Sequence, residues 1–279
     1  IGPWRFGDKL GQGTSGAVFY AQHEITGQAA AIKIVPKYPQ EYIADEINEA
    51  SDPAKKSPTG NLLREVACLK ILNEHPNIVS VKDLWQDAEN VYMVMDFVEG
   101  GELLKYVQKH RQGLPEAEAI RMFRQIISAL EFAHRLEIFH RDLKLENMLL
   151  DTAGNVRIVD FGLGGQCGGK SLTLTCGSPH YTAPEVVRGI PYDARTADIW
   201  SAGVVLYVLL DGFIPFHGMD ENDLPGMFQN ILDGRFRLPE NVSDWVMDLF
   251  YQLFETDPDK RITIKNLWKH PAIARYAPR

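Results

Sequence analysis

The stretch His140-Arg141-Asp142-Leu143-Lys144-Leu145-Glu146-Asn147 sets a carboxylate, an ammonium and an amide close together, and Asp160-Phe161-Gly162 follows 13 residues after Asn147. Asp142 can accept a hydrogen bond from a hydroxyl, align it, and take its proton late in a transfer. Lys144 can stabilise negative charge on a group in flight. Asn147 and Asp160 offer hard oxygen donors, which suit Mg²⁺. Taken singly, each acid is an ordinary surface or capping residue. At this spacing the set supplies the parts that phosphoryl transfer requires.

Regular elements must position these groups. The first 35 residues read as three strands, with Gly and polar turns between short runs rich in Val, Ile, Tyr and Ala. Residues 28–35 alternate, so Ala31, Lys33 and Val35 share one face and Ile32 and Ile34 take the other. Pro36, Pro39, Pro53 and Pro58 punctuate an acidic stretch over 36–60, read as an inserted surface loop. A helix over 61–74 carries Glu65, strands follow at 78–85 and 90–96, and Gly100-Gly101 breaks the chain. Beyond it the spacing of Ile120, Phe123, Ile127, Leu130 and His134 predicts an amphipathic helix over 115–135. Short strands are expected near 147–150 and 155–159, the latter ending at Asp160, and helices near 194–211, 220–233, 242–255 and 263–269. A strand-rich part before a helix-rich part is an α+β layout. The division falls near Asp96 to Val98, giving parts 1–97 and 98–279.

Gly11-Gln12-Gly13-Thr14-Ser15-Gly16-Ala17-Val18 is a G-x-G-x-x-G-x-V element. Glycines there let the backbone approach phosphate oxygens, although a plain hairpin turn reads the same way. A dinucleotide-binding turn calls for a helix next, whereas Val18-Phe19-Tyr20-Ala21 reads as a strand. Lys33, in Ala30-Ala31-Ile32-Lys33, and Glu65 are on spacing alone a strand lysine and a surface helix glutamate.

These motifs, with Ala183-Pro184-Glu185, resemble the eukaryotic protein kinase family from about Trp4 to about Pro271. The resemblance implies a bilobal fold: a small antiparallel β-sheet lobe with one main helix, then a larger helical lobe. It implies a serine/threonine protein kinase that moves the γ-phosphoryl group of Mg·ATP to a protein hydroxyl. Asp142, Lys144 and Asn147 would be catalytic, and Asn147 and Asp160 would hold metal. Leu10, Gly11, Gly13 and Gly16 would cover the nucleotide, while Lys33, paired with Glu65, would hold its phosphates. The 32-residue gap between Lys33 and Glu65 exceeds the family's usual one; the insertion explains the excess, and Glu46 or Glu49 remain alternative partners. Val18, Ala31 and Leu149 would sandwich adenine, with Met95 as gatekeeper and the Asp96 and Val98 backbone on the adenine edge. Glu102 would face the ribose or a basic substrate residue. His140 and Phe161 would pack internally, with Leu69 and Val81 continuing a stack beneath the Glu65 helix. Glu185 would pair with Arg261, and Asp198 would hold the catalytic-loop backbone.

Cys176-Gly177-Ser178-Pro179-His180-Tyr181 resembles the AMP-activated-kinase-like branch of the calmodulin-dependent kinase group. Lys144 and Ser178 fit serine/threonine rather than tyrosine specificity. That branch carries an activating threonine where this chain has Leu174, so three readings stand: phosphorylation at Thr173 by an upstream kinase, at Thr175, or no requirement for it. Thr173 is favoured, with Arg141 as receptor for the phosphate. Glu102 and Glu146 point to substrates with Arg or Lys about three residues upstream of the acceptor. Ile1-Gly2-Pro3-Trp4-Arg5-Phe6-Gly7 and the run Ala30 to Lys37 resemble fungal kinases of the mitosis-inducer and septin-associated checkpoint type, hence cell-cycle or morphogenesis signalling. A pseudokinase would need loss of Lys33, Asp142 or Asp160, and a small-molecule kinase would not need the intact Cys176-to-Glu185 segment.

The bulk composition is compatible with this. A chain of 279 residues is long for one core and suits two lobes. A net charge of −8 argues against nucleic acid or anionic membrane and suits basic peptides. No apolar run approaches the roughly 18 residues of a membrane span, and Ile1 opens no signal-peptide pattern. The start on Ile1 reads as a piece excised from a longer protein. Cys68, Cys167 and Cys176 lack metal-ligand spacing, so a reducing compartment is expected, cytoplasmic with nuclear access.

Overall fold

The computed structural model describes residues 2–13, 16–37, 58–110, 112–161, 165–166, 178–220 and 222–276. The first lobe holds β1 (Trp4–Gly13), β2 (Gly16–His23), β3 (Ala29–Pro36), α1 (Pro58–Leu72), β4 (Val81–Gln86) and β5 (Asn90–Asp96). Its sheet runs in the order β1-β2-β3-β5-β4, every neighbour antiparallel. Strand alternation decides what faces where. Ala31 and Val35 of β3 join the main core, whereas Ala30 and Ile32 join a smaller cluster with Trp4, Ala21, Tyr92 and Val94. Lys33, in phase with Ala31 and Val35, therefore points to the α1 side of the sheet.

The second lobe begins with α2 (Leu103–Gln108) and α3 (Glu116–Arg135). Small pairings follow between β6 (Ile138–Phe139) and β9 (Gly165–Gln166), and between β7 (Met148–Leu150) and β8 (Val156–Ile158). Then come α4 (Pro184–Val187), α5 (Ala194–Asp211), α6 (Leu224–Asp233), α7 (Asp244–Leu253), α8 (Ile264–Leu267) and α9 (Pro271–Ala274). On α3 the buried stripe includes Ile120, Phe123, Ile127, Leu130 and His134. Helix α5 is buried on nearly every side, so it forms the centre of the lobe. Side-chain caps set several helix starts: Asp193 accepts from Arg195 N, Asp223 from Gly226 N, Ser243 from Val246 N and Thr263 from Asn266 N. Among the described residues, no helix is long and apolar enough to cross a membrane.

Several boundaries differ from those expected. The strand predicted over 78–85 starts only at Val81. Residues 77–79 pair elsewhere: Ile158 N donates to Asn77 O at 2.8 Å and Val79 N to Ile158 O at 3.0 Å. That seats buried Ile78 against β8 and ties the lobes together. Asp160 does not sit on a strand tip; β8 ends at Ile158, and Asp160 adopts a left-handed φ of 63°. The inserted segment is shorter than 36–60, because β3 includes Pro36 and α1 starts at Pro58. Thr59 Oγ1 donates to Pro36 O at 3.0 Å, so the segment's two ends meet. Residues 38–57, with Glu46 and Glu49, lie outside the described residues.

Candidate active site

Lys33 and Glu65 meet across their long sequence separation. Lys33 Nζ donates to Glu65 Oε2 at 2.7 Å and lies 3.9 Å from Asp160 Oδ1. Burial opposes the Lys33 cation, but Glu65 and Asp160 outweigh it and raise its pKa. Burial also raises the Glu65 carboxyl; Lys33 pulls it down and Asp160 pushes it up again. One buried cation thus stands between two carboxylates, and Asp160 is the exposed one, its side chain 48% accessible.

The catalytic-loop groups form a second cluster. Lys144 Nζ lies 2.7 Å from Asp142 Oδ2 and donates to Ser178 Oγ at 2.8 Å. Ser178 donates to Asp142 Oδ1 through its backbone N at 2.9 Å and its hydroxyl at 3.2 Å. Asn147 Nδ2 donates to the Asp142 carbonyl at 2.9 Å, so its amide oxygen faces away from that carbonyl. Val159 N donates to Asn147 O at 2.9 Å, joining the loop to the segment that leads into Asp160.

Asp198 on α5 holds this loop from below. Its Oδ2 accepts from His140 N at 2.9 Å and its Oδ1 from Arg141 N at 2.8 Å. Burial alone would raise this carboxyl, but the His134 hydrogen bond and charge and the backbone donors hold it below the usual range. Its contribution to stability is therefore present above the ordinary carboxylate pKa and is lost as pH falls through the depressed one. Arg141 adopts a left-handed φ of 66°, a strained backbone that these bonds stabilise. Sequence reasoning missed His134, whose Nε2 lies 2.9 Å from Asp198 Oδ2. The available signal was a polar side chain in the apolar stripe of α3. His140 and Phe161 pack with ring centroids 4.7 Å apart, and Phe161, Leu69 and Val81 belong to one core.

Gly13 and Gly16 face each other across the β1–β2 hairpin. A Cβ on Gly16, where φ is +156°, would sit 2.1 Å from Ile34 O, so only glycine closes this turn without displacement. A Cβ on Gly11 would meet nothing within 4 Å, which leaves that backbone open to a ligand. Met95 stands opposite both Ala31 and Val81 in register, and Val18 packs partly buried on the same core. Asp96 N donates to Ser80 O at 3.0 Å, so that amide serves the sheet. Beyond Val98, which packs partly buried on the core, the chain crosses β7 closely. A Cβ on Gly100 would lie 2.5 Å from Leu150 O, and Glu102 bridges to Leu149. Leu10 and Glu146 are exposed, and Glu102 bonds Lys105 Nζ at 2.6 Å.

The Ala183-Pro184-Glu185 end of the 162–185 segment is anchored in the core. Arg261 donates twice to Glu185, at 2.7 and 2.9 Å, and both side chains are almost wholly buried. Arg261→Ala strands the Glu185 carboxylate, so chemical denaturation should show a loss of about 3–5 kcal/mol. A loss under about 1 kcal/mol would mean that water reaches the pair.

The donor set fits Mg·ATP. Asp160 and the Asn147 amide offer hard oxygen donors, of the kind Mg²⁺ takes. Lys33 is a buried cation beside Asp160, and the Gly11 backbone is open.

A family model described as "Protein kinase domain" matches residues 4–273, and the chain belongs to that family. The chain's relatives are named serine/threonine-protein kinases. The chain is 39% identical over 282 residues to the serine/threonine-protein kinase GIN4 of Saccharomyces cerevisiae, covering 99% of this chain and 24% of that protein. It is 39% identical over 279 residues to the probable serine/threonine-protein kinase KCC4 of the same yeast, covering 99% and 26%. The probable serine/threonine-protein kinase HSL1, also from that yeast, is 36% identical over 301 residues, covering 99% and 19%. The chain thus spans about a fifth to a quarter of these relatives' lengths.

Proposed function

We propose that this domain transfers the γ-phosphoryl group of Mg·ATP to serine or threonine hydroxyls of proteins. The observation that carries the reading is the convergence of Lys33 on Glu65 and Asp160, with Asn147 tied to both Asp142 and Val159. When bound, Mg·ATP supplies the activated phosphoryl group and the divalent charge that offsets its oxygens. Lys33 would hold the non-transferred phosphates, and Asn147 and Asp160 would hold metal. Asp142 accepts the acceptor hydroxyl's hydrogen bond and takes its proton late, while Lys144 stabilises charge on the moving group. Val18, Ala31, Leu149 and Met95 would hold the adenine, with backbone groups of Asp96 and Val98 to bond its edge and Leu10 to cover it. The lobe boundary at 97/98 belongs to this reading. Incubation with labelled ATP, Mg²⁺ and a Ser/Thr peptide library should label peptides. A folded sample that labels none of them contradicts the proposal.

The bridge from Lys144 through Ser178 to Asp142 supports an aliphatic hydroxyl acceptor over a tyrosine. Glu102 and Glu146 favour a basic residue about three positions upstream. Glu146→Ala and Glu102→Ala together should reduce the advantage of an arginine peptide about tenfold, chiefly in KM. An unchanged arginine preference removes these two carboxylates from recognition. Thr173, Leu174 and Thr175 lie outside the described residues. Phosphorylation at Thr173, received by Arg141, is the preferred regulation. Full activity in the Thr173→Ala, Thr175→Ala double variant removes it. Cytoplasmic cell-cycle or morphogenesis signalling is the setting that the fungal resemblance supports.

A further inference from the structure

The segment Asp96-Phe97-Val98 joins the two lobes and is held from two sides. On one side Asp96 N donates to Ser80 O at 3.0 Å, and the Asp96 carboxylate takes Lys82 Nζ of β4 at 3.1 Å. On the other, the Tyr20 ring of β2 meets the Phe97 ring edge-to-face, with centroids 4.9 Å apart and planes at 79°. That spacing and angle are favourable for an aromatic pair.

Strand phase gives this contact its place. Tyr20 and Val18 are two positions apart on β2, so they share a face. Their register partners on β3 are Ala31 and Lys33. Tyr20 therefore stands on the side of the sheet that carries Lys33, about 7 Å along the strand from Val18. Gly7 of β1 makes room for the ring. Phe6 pairs with Ala21 and Lys9 with Phe19, so Gly7 and Asp8 together oppose Tyr20 in a bulge. A Cβ on Gly7 would lie 2.8 Å from Tyr20 Cδ1, so the ring fills the space that a side chain at position 7 would need. In the sheet order β1 is an edge strand, and the β1–β2 hairpin reaches the other strands through β2. The ring on Phe97 gives that hairpin a second attachment, to the segment between the lobes.

We infer that Tyr20 is a positioning residue for the nucleotide: its ring, set on Phe97, fixes the β1–β2 hairpin against the inter-lobe segment and so sets nucleotide affinity rather than the rate of transfer. The inference rests on the proposed kinase function, in which Leu10, Gly11, Gly13, Gly16 and Val18 of that hairpin cover the nucleotide and the Asp96 and Val98 backbone bonds its adenine.

The test reads affinity and turnover separately. Tyr20→Ala should raise the KM for ATP, and the Kd of a fluorescent ATP analogue with Mg²⁺, about three- to tenfold, as loss of an edge-to-face ring contact implies. The kcat and the KM for peptide should change less than about twofold. Tyr20→Phe keeps the ring and should restore the wild-type values. Gly7→Ala reaches the same contact from the other strand and should give a similar rise. Combined with Tyr20→Ala it should add nothing, because both changes remove one interaction. Melting curves show whether each variant folds; if Tyr20→Ala does not, Tyr20→Leu, which keeps apolar bulk without a ring, takes its place with the same rise expected. Unchanged KM and Kd in the folded variant overturn the inference and leave the kinase reading standing. A fall in kcat with KM held gives Tyr20 a structural role alone and also overturns it. If the wild type binds the analogue but phosphorylates no peptide, the kinase reading fails and the Kd values decide the inference. A wild type that binds no nucleotide ends both.

Discussion

Asp142→Asn is expected to lower kcat by about 10²- to 10⁴-fold, the range for loss of a positioned acid-base group. Asparagine keeps the size of the side chain and an acceptor for Ser178 N, which lies 2.9 Å from Asp142 Oδ1. It removes the charge that faces Lys144 Nζ at 2.7 Å and, with it, the carboxylate proposed to receive the substrate proton. The KM for ATP should hold, because the proposed roles put Lys33 and Asp160 on the nucleotide side and Asp142 on the hydroxyl side. The thermal transition should move little, since the loop backbone hangs from Asp198 and not from Asp142. Steady-state kinetics beside a melting curve separate the outcomes. Retained kcat would remove Asp142 from the proton's path.

Lys33→Met should lose both activity and stability, and a double variant should separate the two. The Lys33 and Glu65 side chains are 10% and 4% accessible, so methionine leaves a buried carboxylate without its cation. That costs about 3–5 kcal/mol. Lys33→Met with Glu65→Leu removes both charges, and most of the stability should return, because a well-packed apolar pair commonly replaces a buried ion pair without loss. Activity should not return: phosphoryl transfer should stay about 10²- to 10³-fold down without the cation beside Asp160. Denaturation curves and ATP turnover on both proteins check this. If the double variant regains activity, the pair only holds α1 against the sheet.

The legible and illegible parts of this chain divide on physical lines. The catalytic loop could be read because its chemistry is local: Asp142, Lys144 and Asn147 are close in sequence, and one Asn147 hydrogen bond closes their loop. The phase of β3 could be read because side chains alternate with period two, which sends Ala31 and Lys33 to one face. Glu65 could not be chosen from spacing alone. An acid on a helix is usually solvated, and only the fold brings it to 2.7 Å from Lys33. The turn into Asp160 was missed because a run of Val and Ile reads as strand. Its end is set instead by Val159 N bonding Asn147 O and by the left-handed φ at Asp160. Residues 78 and 79 read as the start of β4 for the same reason, and tertiary pairing with Ile158 overrode propensity.

The most direct test of the account is a crystal structure of the chain with a non-hydrolysable ATP analogue and Mg²⁺. The expected result is a single nucleotide with Lys33 Nζ on its α- and β-phosphates. Metal should lie between those phosphates and the oxygens of Asn147 and Asp160, with Asp142 facing the γ-phosphate end. A nucleotide seated elsewhere, or one seated there with Lys33 Nζ off its phosphates and no metal at Asn147 or Asp160, would contradict it.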